Sequence, residues 1–127
     1  MKLLIDTCAF LWFVSGDTKL SHRARAAMER KEAELILSAA SIWELAIKSS
    51  LGRLILPCPL DEYIAEKIKS GFHILPLSWQ HAAAVEAMPF HHRDPFDRLL
   101  AAQALAEKMP LVSSDAIFRR YKVDMIW

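Results

Sequence analysis

Short unbroken apolar runs alternate along this chain with longer segments of helical spacing. The runs are Lys2–Ile5, Glu34–Ser38, Phe72–Leu77, Met109–Ser114 and Val123–Trp127. Continuous rather than every-other-residue apolar character suits strands buried on both faces of a parallel sheet. Between the runs, the spacing predicts helices over about Cys8–Val14, Ser21–Lys31, Ser41–Leu51, Leu60–Ser70, Ser78–Met88 and Asp94–Lys108, and a short one over Ala116–Tyr121. Ser21 and Ser78 read as N-caps, Ser41 and Glu44 as a capping box, and Gly52 and Gly71 as helix stops. Pro76 cannot donate to a ladder, so the third strand is expected at an edge or at its end. Strands alternating with helices argue for a layered α/β fold with a parallel sheet.

The 127 residues suit one domain with one core, spanning 1–127. Hydrophobic residues make up 54%, enough for a sheet covered on both faces, a partner surface, or both. The longest apolar run, Cys8–Val14, is too short for a membrane span, and Asp6 interrupts any secretory signal, so a cytoplasmic protein is expected. Cys8 and Cys58 form neither a disulfide framework nor a metal spacing. A net charge of +1 gives no global basic footprint for nucleic acid, so such a partner must be held by a local patch and a metal.

The candidate chemistry lies in five acids. Asp6 ends the first run, and Asp115 ends the fourth. Glu44 sits among Ile42, Trp43, Leu45 and Ala46, where a carboxylate is costly unless it is paired or bound to a cation. Asp94 reads as the N-cap of a helix with Pro95 at its first position, and Asp97 falls in the same first turn. Helix capping explains each acid singly. Strand ends and helix starts share one edge of a parallel sheet, however, so together they point to one cleft. Two carboxylates ~4 Å apart repel by roughly 4 kcal/mol at an effective dielectric of about 20, and cations or protons must offset this. Hard oxygen donors select Mg²⁺ or Mn²⁺ over zinc, and such a site suits phosphoryl chemistry. Arg93 and Arg98 flank the acids and are the first candidates to hold a phosphate backbone, followed by Lys48 and Arg119. Surface ion pairs with Asp94 or Asp97 explain the two arginines equally well. His91 and His92, adjacent in a polar loop, are expected to be solvated rather than ligands.

Four blocks of the chain resemble one family in the right order. Leu3-Leu4-Ile5-Asp6-Thr7 looks like the opening of PIN-domain ribonucleases. Ser41–Lys48 with Leu51-Gly52-Arg53-Leu54, then His92–Ala104, then Leu111-Val112-Ser113-Ser114-Asp115, resemble the later acidic blocks of the VapC-type toxins; the third block is the specific one. The resemblance implies a three-layer α/β/α domain with a five-stranded parallel sheet. It implies a Mg²⁺- or Mn²⁺-dependent endoribonuclease, the toxin of a toxin–antitoxin pair, acting on RNA. By position it implies a catalytic quartet of Asp6, Glu44, Asp97 and Asp115, with Asp6, Asp97 and Asp115 as metal ligands. Asp94 matches a supporting acidic position, and Thr7 and Ser113 are hydroxyl partners for the carboxylates. It also implies a homodimer and a cognate antitoxin that blocks the cleft. Trp12, Phe13 and Trp43 are candidates for those surfaces, although a core position is the expectation for Trp43. Cys8 stands where related sequences often carry another residue, which places an oxidisable group beside Asp6.

Two other readings compete. A receiver-like domain also holds Mg²⁺ in an acidic pocket, but it needs an acidic phosphate acceptor after a middle strand, and the third strand ends Leu75-Pro76-Leu77-Ser78. A non-catalytic binding module has no need of four clustered acids.

Overall fold

The computed structural model describes residues 1–127. The strands are β1 (Lys2–Ile5), β2 (Glu34–Ser38), β3 (His73–Leu75), β4 (Leu111–Val112) and β5 (Met125–Ile126). All pair in parallel, in the order β3-β2-β1-β4-β5, so the five-stranded sheet predicted from the sequence is present and β3 is at an edge. The helices are α1 (Thr7–Ser15), α2 (His22–Met28), α3 (Ala39–Ser50), α4 (Leu60–Lys69), α5 (Trp79–Ala84) and α6 (Pro95–Glu107), with 3₁₀ turns at Val85–Ala87 and Ala116–Tyr121.

Side-chain alternation divides the core into two halves. Leu3, Ile5, Leu37 and Val112 pack with Phe10 and Ala9 of α1, Ala24 and Met28 of α2, and Tyr63 and Ile64 of α4. Leu4, Ile36 and Leu111 face the other way, onto Leu100, Ala101 and Ala104 of α6 and Phe118 and Tyr121 of the last 3₁₀ turn. Helices therefore cover both faces, which is why the strands read as unbroken apolar runs. The chain builds β1, β2 and β3 to one side and then crosses to β4 on the other flank of β1. The carboxyl ends of β1 and β4 thus form the switch point, the usual crevice for ligands in such sheets.

The structure corrects several local expectations. Helix α3 is capped by Ser38, whose hydroxyl accepts the Ala40 N–H, so Ser41 and Glu44 form no capping box. Helix α2 ends at Met28, because Arg30-Lys31-Glu32 offers no apolar face to bury. Helix α5 gives way to a 3₁₀ turn at Val85; Ala82 and Ala83 are exposed, and its buried residue is His81. Ile68, in the apolar spacing of α4, is 48% exposed, whereas Tyr63 and Ile64 are buried. Trp43, expected in the core, is 59% exposed and rests edge-on against Phe96 of α6, with ring centroids 5.2 Å apart. Trp12 and Phe13 are half-buried, against Trp127 and Phe72 respectively. Gly52, at φ 71°, ends α3 in a left-handed turn in which the Arg53 N–H returns to the Lys48 carbonyl. No helix is long and apolar enough to cross a membrane.

Candidate functional site

Capping chemistry positions three of the five acids. Asp6 follows β1 and caps α1, accepting the Ala9 N–H at 2.7 Å. Asp94 caps α6, accepting the Phe96 N–H at 2.8 Å, with Pro95 in the first turn. Asp115 follows β4 and caps the 3₁₀ turn, accepting the Ile117 N–H at 3.0 Å. Each has one oxygen on a helix N-terminus, where the dipole favours a carboxylate. Capping and clustering therefore coexist. Asp97 adds a carboxylate from the first turn of α6, and Glu44 adds another from the second turn of α3. All five line one cleft of about 280 Å³, together with Thr7, Cys8, Ser114 and Phe118. Lys48 is the one Lys or Arg among its lining residues.

The apolar setting of Glu44 is compensated locally. Its Oε1 accepts the Thr7 hydroxyl at 2.6 Å, and its Oε2 pairs with Lys48 Nζ at 3.2 Å. Thr7 thus is a partner of a carboxylate, and Lys48 is engaged by an acid. Ser113 is fully buried; its hydroxyl accepts the Asp115 N–H at 3.1 Å and lies close enough to the Asp6 carboxylate to favour its ionised form. Ser113 therefore couples the acids after β1 and β4.

Crowding appears as raised carboxyl pKa values. Burial pushes Asp97 up to about 7, and the negative charges of Asp94, Glu44 and Asp6 add to it, while His92 opposes it. Burial also raises Asp6, with Glu44 and Asp115 adding to the rise and the bonds from Ser113 and Ala9 opposing it. The Cys8 thiol lies exposed at the cleft wall, yet local desolvation and then the Asp6 charge hold it above its ordinary range. It therefore carries less thiolate than a free cysteine, which blunts the oxidation sensitivity expected beside Asp6.

His92 is not the solvated side chain expected of a polar loop. Its Nε2 lies 2.7 Å from Asp115 Oδ2 and 3.0 Å from Asp97 Oδ2, so the ring bridges two of the predicted ligands. The backbone N–H of Asp94 donates to its Nδ1 at 3.1 Å. Ligand atoms of His92, Asp97 and Asp115 all lie within 4.8 Å of one another, a spacing that fits one cation. The available signal was its place two residues before the capping Asp94, which a polar-loop reading passes over.

Arg98 corrects the second expectation. It is 8% exposed, and its Nη2 donates to the carbonyls of Val85 at 3.2 Å and Met88 at 2.9 Å. Phe90 stacks on the guanidinium at 4.0 Å. These contacts hold the loop before α6 and leave no free face for a phosphate. Arg93 is exposed beside Asp94.

Comparisons with known proteins agree with this architecture. Among solved structures, VapBC2 from Rickettsia felis bound to a DNA fragment from their promoter superposes with a TM-score of 0.69 at 15% identity, over 98% of this chain and 97% of that one. FitAcB from Neisseria gonorrhoeae gives 0.64 at 18% identity, over 97% and 95%. VapBC-1 from nontypeable Haemophilus influenzae gives 0.64 at 16% identity, over 98% and 96%. No curated protein matches the sequence. The family described as PIN domain matches residues 3–124, nearly the whole length, and the chain belongs to that family.

Proposed function

We propose that residues 1–127 act as one metal-dependent endoribonuclease domain, the toxin of a type II toxin–antitoxin pair. The observation that carries the reading is the convergence of Asp6, Glu44, Asp97 and Asp115, from four separate elements, on one cleft with a single lining lysine. A fold that forces carboxyl protonation to about pH 7 at Asp97 has built an anionic hole that a divalent cation fits. Asp6, Asp97 and Asp115 would hold Mg²⁺, or Mn²⁺, since all three offer hard oxygen donors. When bound, that ion supplies Lewis-acid activation of water and charge neutralisation at phosphate.

The residues of the chain do the rest. Glu44, fixed by Thr7 and Lys48, faces the same cleft and takes the proton of the attacking water. The water oxygen bonds phosphorus as the bond to the leaving sugar oxygen breaks, and that oxygen takes up a proton from solvent to leave as an alcohol. Asp94 adds negative charge beside Asp97 and fixes the start of α6, while Ser113 sets Asp6 against Asp115. Arg93 holds the strand beyond the acids, and Lys48 rather than Arg98 is its companion.

The structural neighbours are toxin–antitoxin complexes, which supports an antitoxin as partner for this chain. Exposed Trp43, Trp79 and Phe90 supply apolar surface for that antitoxin and for a homodimer. A cytoplasmic location follows from an RNA target. The receiver-like alternative is not favoured: receiver sheets run 2-1-3-4-5, whereas β3 here is an edge strand beside β2.

The test is incubation of antitoxin-free protein with a pool of single-stranded and structured RNA, with Mg²⁺, with Mn²⁺ or with EDTA, alongside Asp97→Asn. Cutting that needs the ion and is lost in the variant is expected. Equal cutting by Asp97→Asn, or cutting that survives EDTA, would overturn the reading.

A further inference from the structure

His92 lies inside the acidic cluster without being one of its acids. Its ring nitrogens have opposite duties. Nδ1 faces the Asp94 backbone N–H, which can only donate, so Nδ1 is an acceptor and the ring N–H lies on Nε2. That Nε2–H points between Asp115 Oδ2 and Asp97 Oδ2, which come from opposite sides of the cleft, one after β4 and the other at the start of α6. A nitrogen that carries a proton has no lone pair for a cation, so this arrangement does not make His92 a ligand.

The loop that carries the ring is strapped on both flanks. The Tyr121 hydroxyl accepts the N–H of His91 at 3.1 Å and of His92 at 2.8 Å. Arg98 grips the Val85 and Met88 carbonyls just upstream, under Phe90. Phe118 packs against the imidazole, with centroids 6.0 Å apart. Together these contacts hold the loop, and with it the ring, in place. Only Oδ2 of each acid is engaged by His92, so Asp97 Oδ1 keeps its lone pairs.

We infer that His92 is a positioning residue: its Nε2–H ties Asp97 to Asp115 and sets their separation for cation binding. This rests on the metal-dependent reading of the cleft. Supports of this kind, bonded to ligands rather than to the metal, typically alter metal affinity by about 10–100-fold.

The experiment titrates Mn²⁺ into full-length, antitoxin-free protein and follows bound ion by electron paramagnetic resonance, for wild type, His92→Phe and His92→Gln. Phe keeps the ring without the N–H, and Gln offers an amide N–H near the Nε2 position. His92→Phe should lose about tenfold in affinity and His92→Gln no more than about threefold. Pulsed spectra of the wild type should show no directly coordinated nitrogen. Tighter binding by His92→Phe would overturn the inference in favour of a ring that plugs the site. A coordinated nitrogen in the wild type would overturn it in favour of a ligand. Failure of wild type to bind Mn²⁺ at all would sink the metal-dependent reading and this one together, whereas binding that is unaffected by either substitution would sink this one alone. Should His92→Phe fail to fold, Tyr121→Phe serves instead: it frees the loop and should weaken Mn²⁺ binding, and unchanged affinity would overturn the inference.

Discussion

His81 and His92 are held in the same way in opposite surroundings. Each accepts a backbone N–H at Nδ1, from Ser78 at 3.2 Å and from Asp94 at 3.1 Å, and each turns Nε2 to carboxylate oxygen. His81 meets one acid, Glu107, whose side chain is 41% exposed. Its other neighbour is the fully buried Gln103, which bonds Ser38 and reaches the Pro76 carbonyl at 3.4 Å. That network joins the end of β2, the start of α5 and the middle of α6, and its polar groups answer one another. His92 meets two acids, and Asp6, Asp94 and Glu44 crowd the same cleft. Hydrogen-bond geometry therefore does not separate a structural histidine from one at a functional site. Charge balance does: one network is closed, and the other leaves negative charge that protons or a cation must neutralise.

Asp97→Asn breaks the comparison most sharply. Cleavage should fall by at least about a hundredfold, because a carboxylate facing the ion is lost. The metal-free protein should nevertheless melt at the same temperature or higher near pH 8, since Asp94, Glu44 and Asp6 lose a like-charged neighbour. Calorimetry in EDTA checks this, and a large loss of stability would mean that Asp97 is a structural residue. Gln103→Ala, in the closed network, should do the reverse. It leaves a cavity and strips Ser38 of its partner, costing about 2–4 kcal/mol in denaturant melts. Metal affinity of the folded fraction should be unchanged, and a parallel loss of affinity would contradict the separation of the two networks.

The same contrast explains what the sequence made legible. Asp6 and Asp115 were readable because an acid directly after an apolar run marks both a strand end and a cap. Asp94 was readable through Pro95, and the edge position of β3 through Pro76. These are local rules, and the fold preserves them. Arg98 was not readable: its partners are carbonyls 13 and 10 residues upstream, placed by a 3₁₀ turn that has no strong sequence mark. Ser38 and Ser41 compete as caps three residues apart, and the bond between Ser38 and Gln103, distant in sequence, accompanies the choice of Ser38. His92 needed the closure of β4 beside β1, which brings Asp115 to a ring 23 residues earlier. Trp43 was misplaced because an apolar side chain gives no local sign of whether its helix face meets the core or solvent.

Acidity tests the charge imbalance directly. Asp97 titrates at about 7 in the folded chain, against about 3.9 for an ordinary aspartate. Between those values the folded protein holds a proton that the unfolded chain has released, so stability falls as pH rises through this window. The raised pKa of Asp6 acts with the same sign. In EDTA the melting temperature should be highest below about pH 4 as far as these groups decide it, and should be lowered by pH 8 by a few degrees, roughly 1 kcal/mol after solvent screening. Mn²⁺ should raise the melting temperature more at pH 8 than at pH 5, because it binds the ionised carboxylates. An equal rise at both values would mean that the ion binds elsewhere.

The smallest effect belongs to Glu107→Gln, which removes the charge facing His81 while keeping an oxygen to accept its N–H. Glu107 lies at the surface end of α6, where water already screens the pair, so its charge contributes little. Denaturant melts should shift by no more than about 0.5 kcal/mol, and RNA cleavage should match wild type. The comparable change at the other histidine, Asp115→Asn, removes a charge that the cleft uses and should reduce cleavage severely despite similar hydrogen-bond geometry. Equal tolerance of the two substitutions would show that the cluster around His92 is as closed as the one around His81, and that its surplus of acids has no ligand to bind.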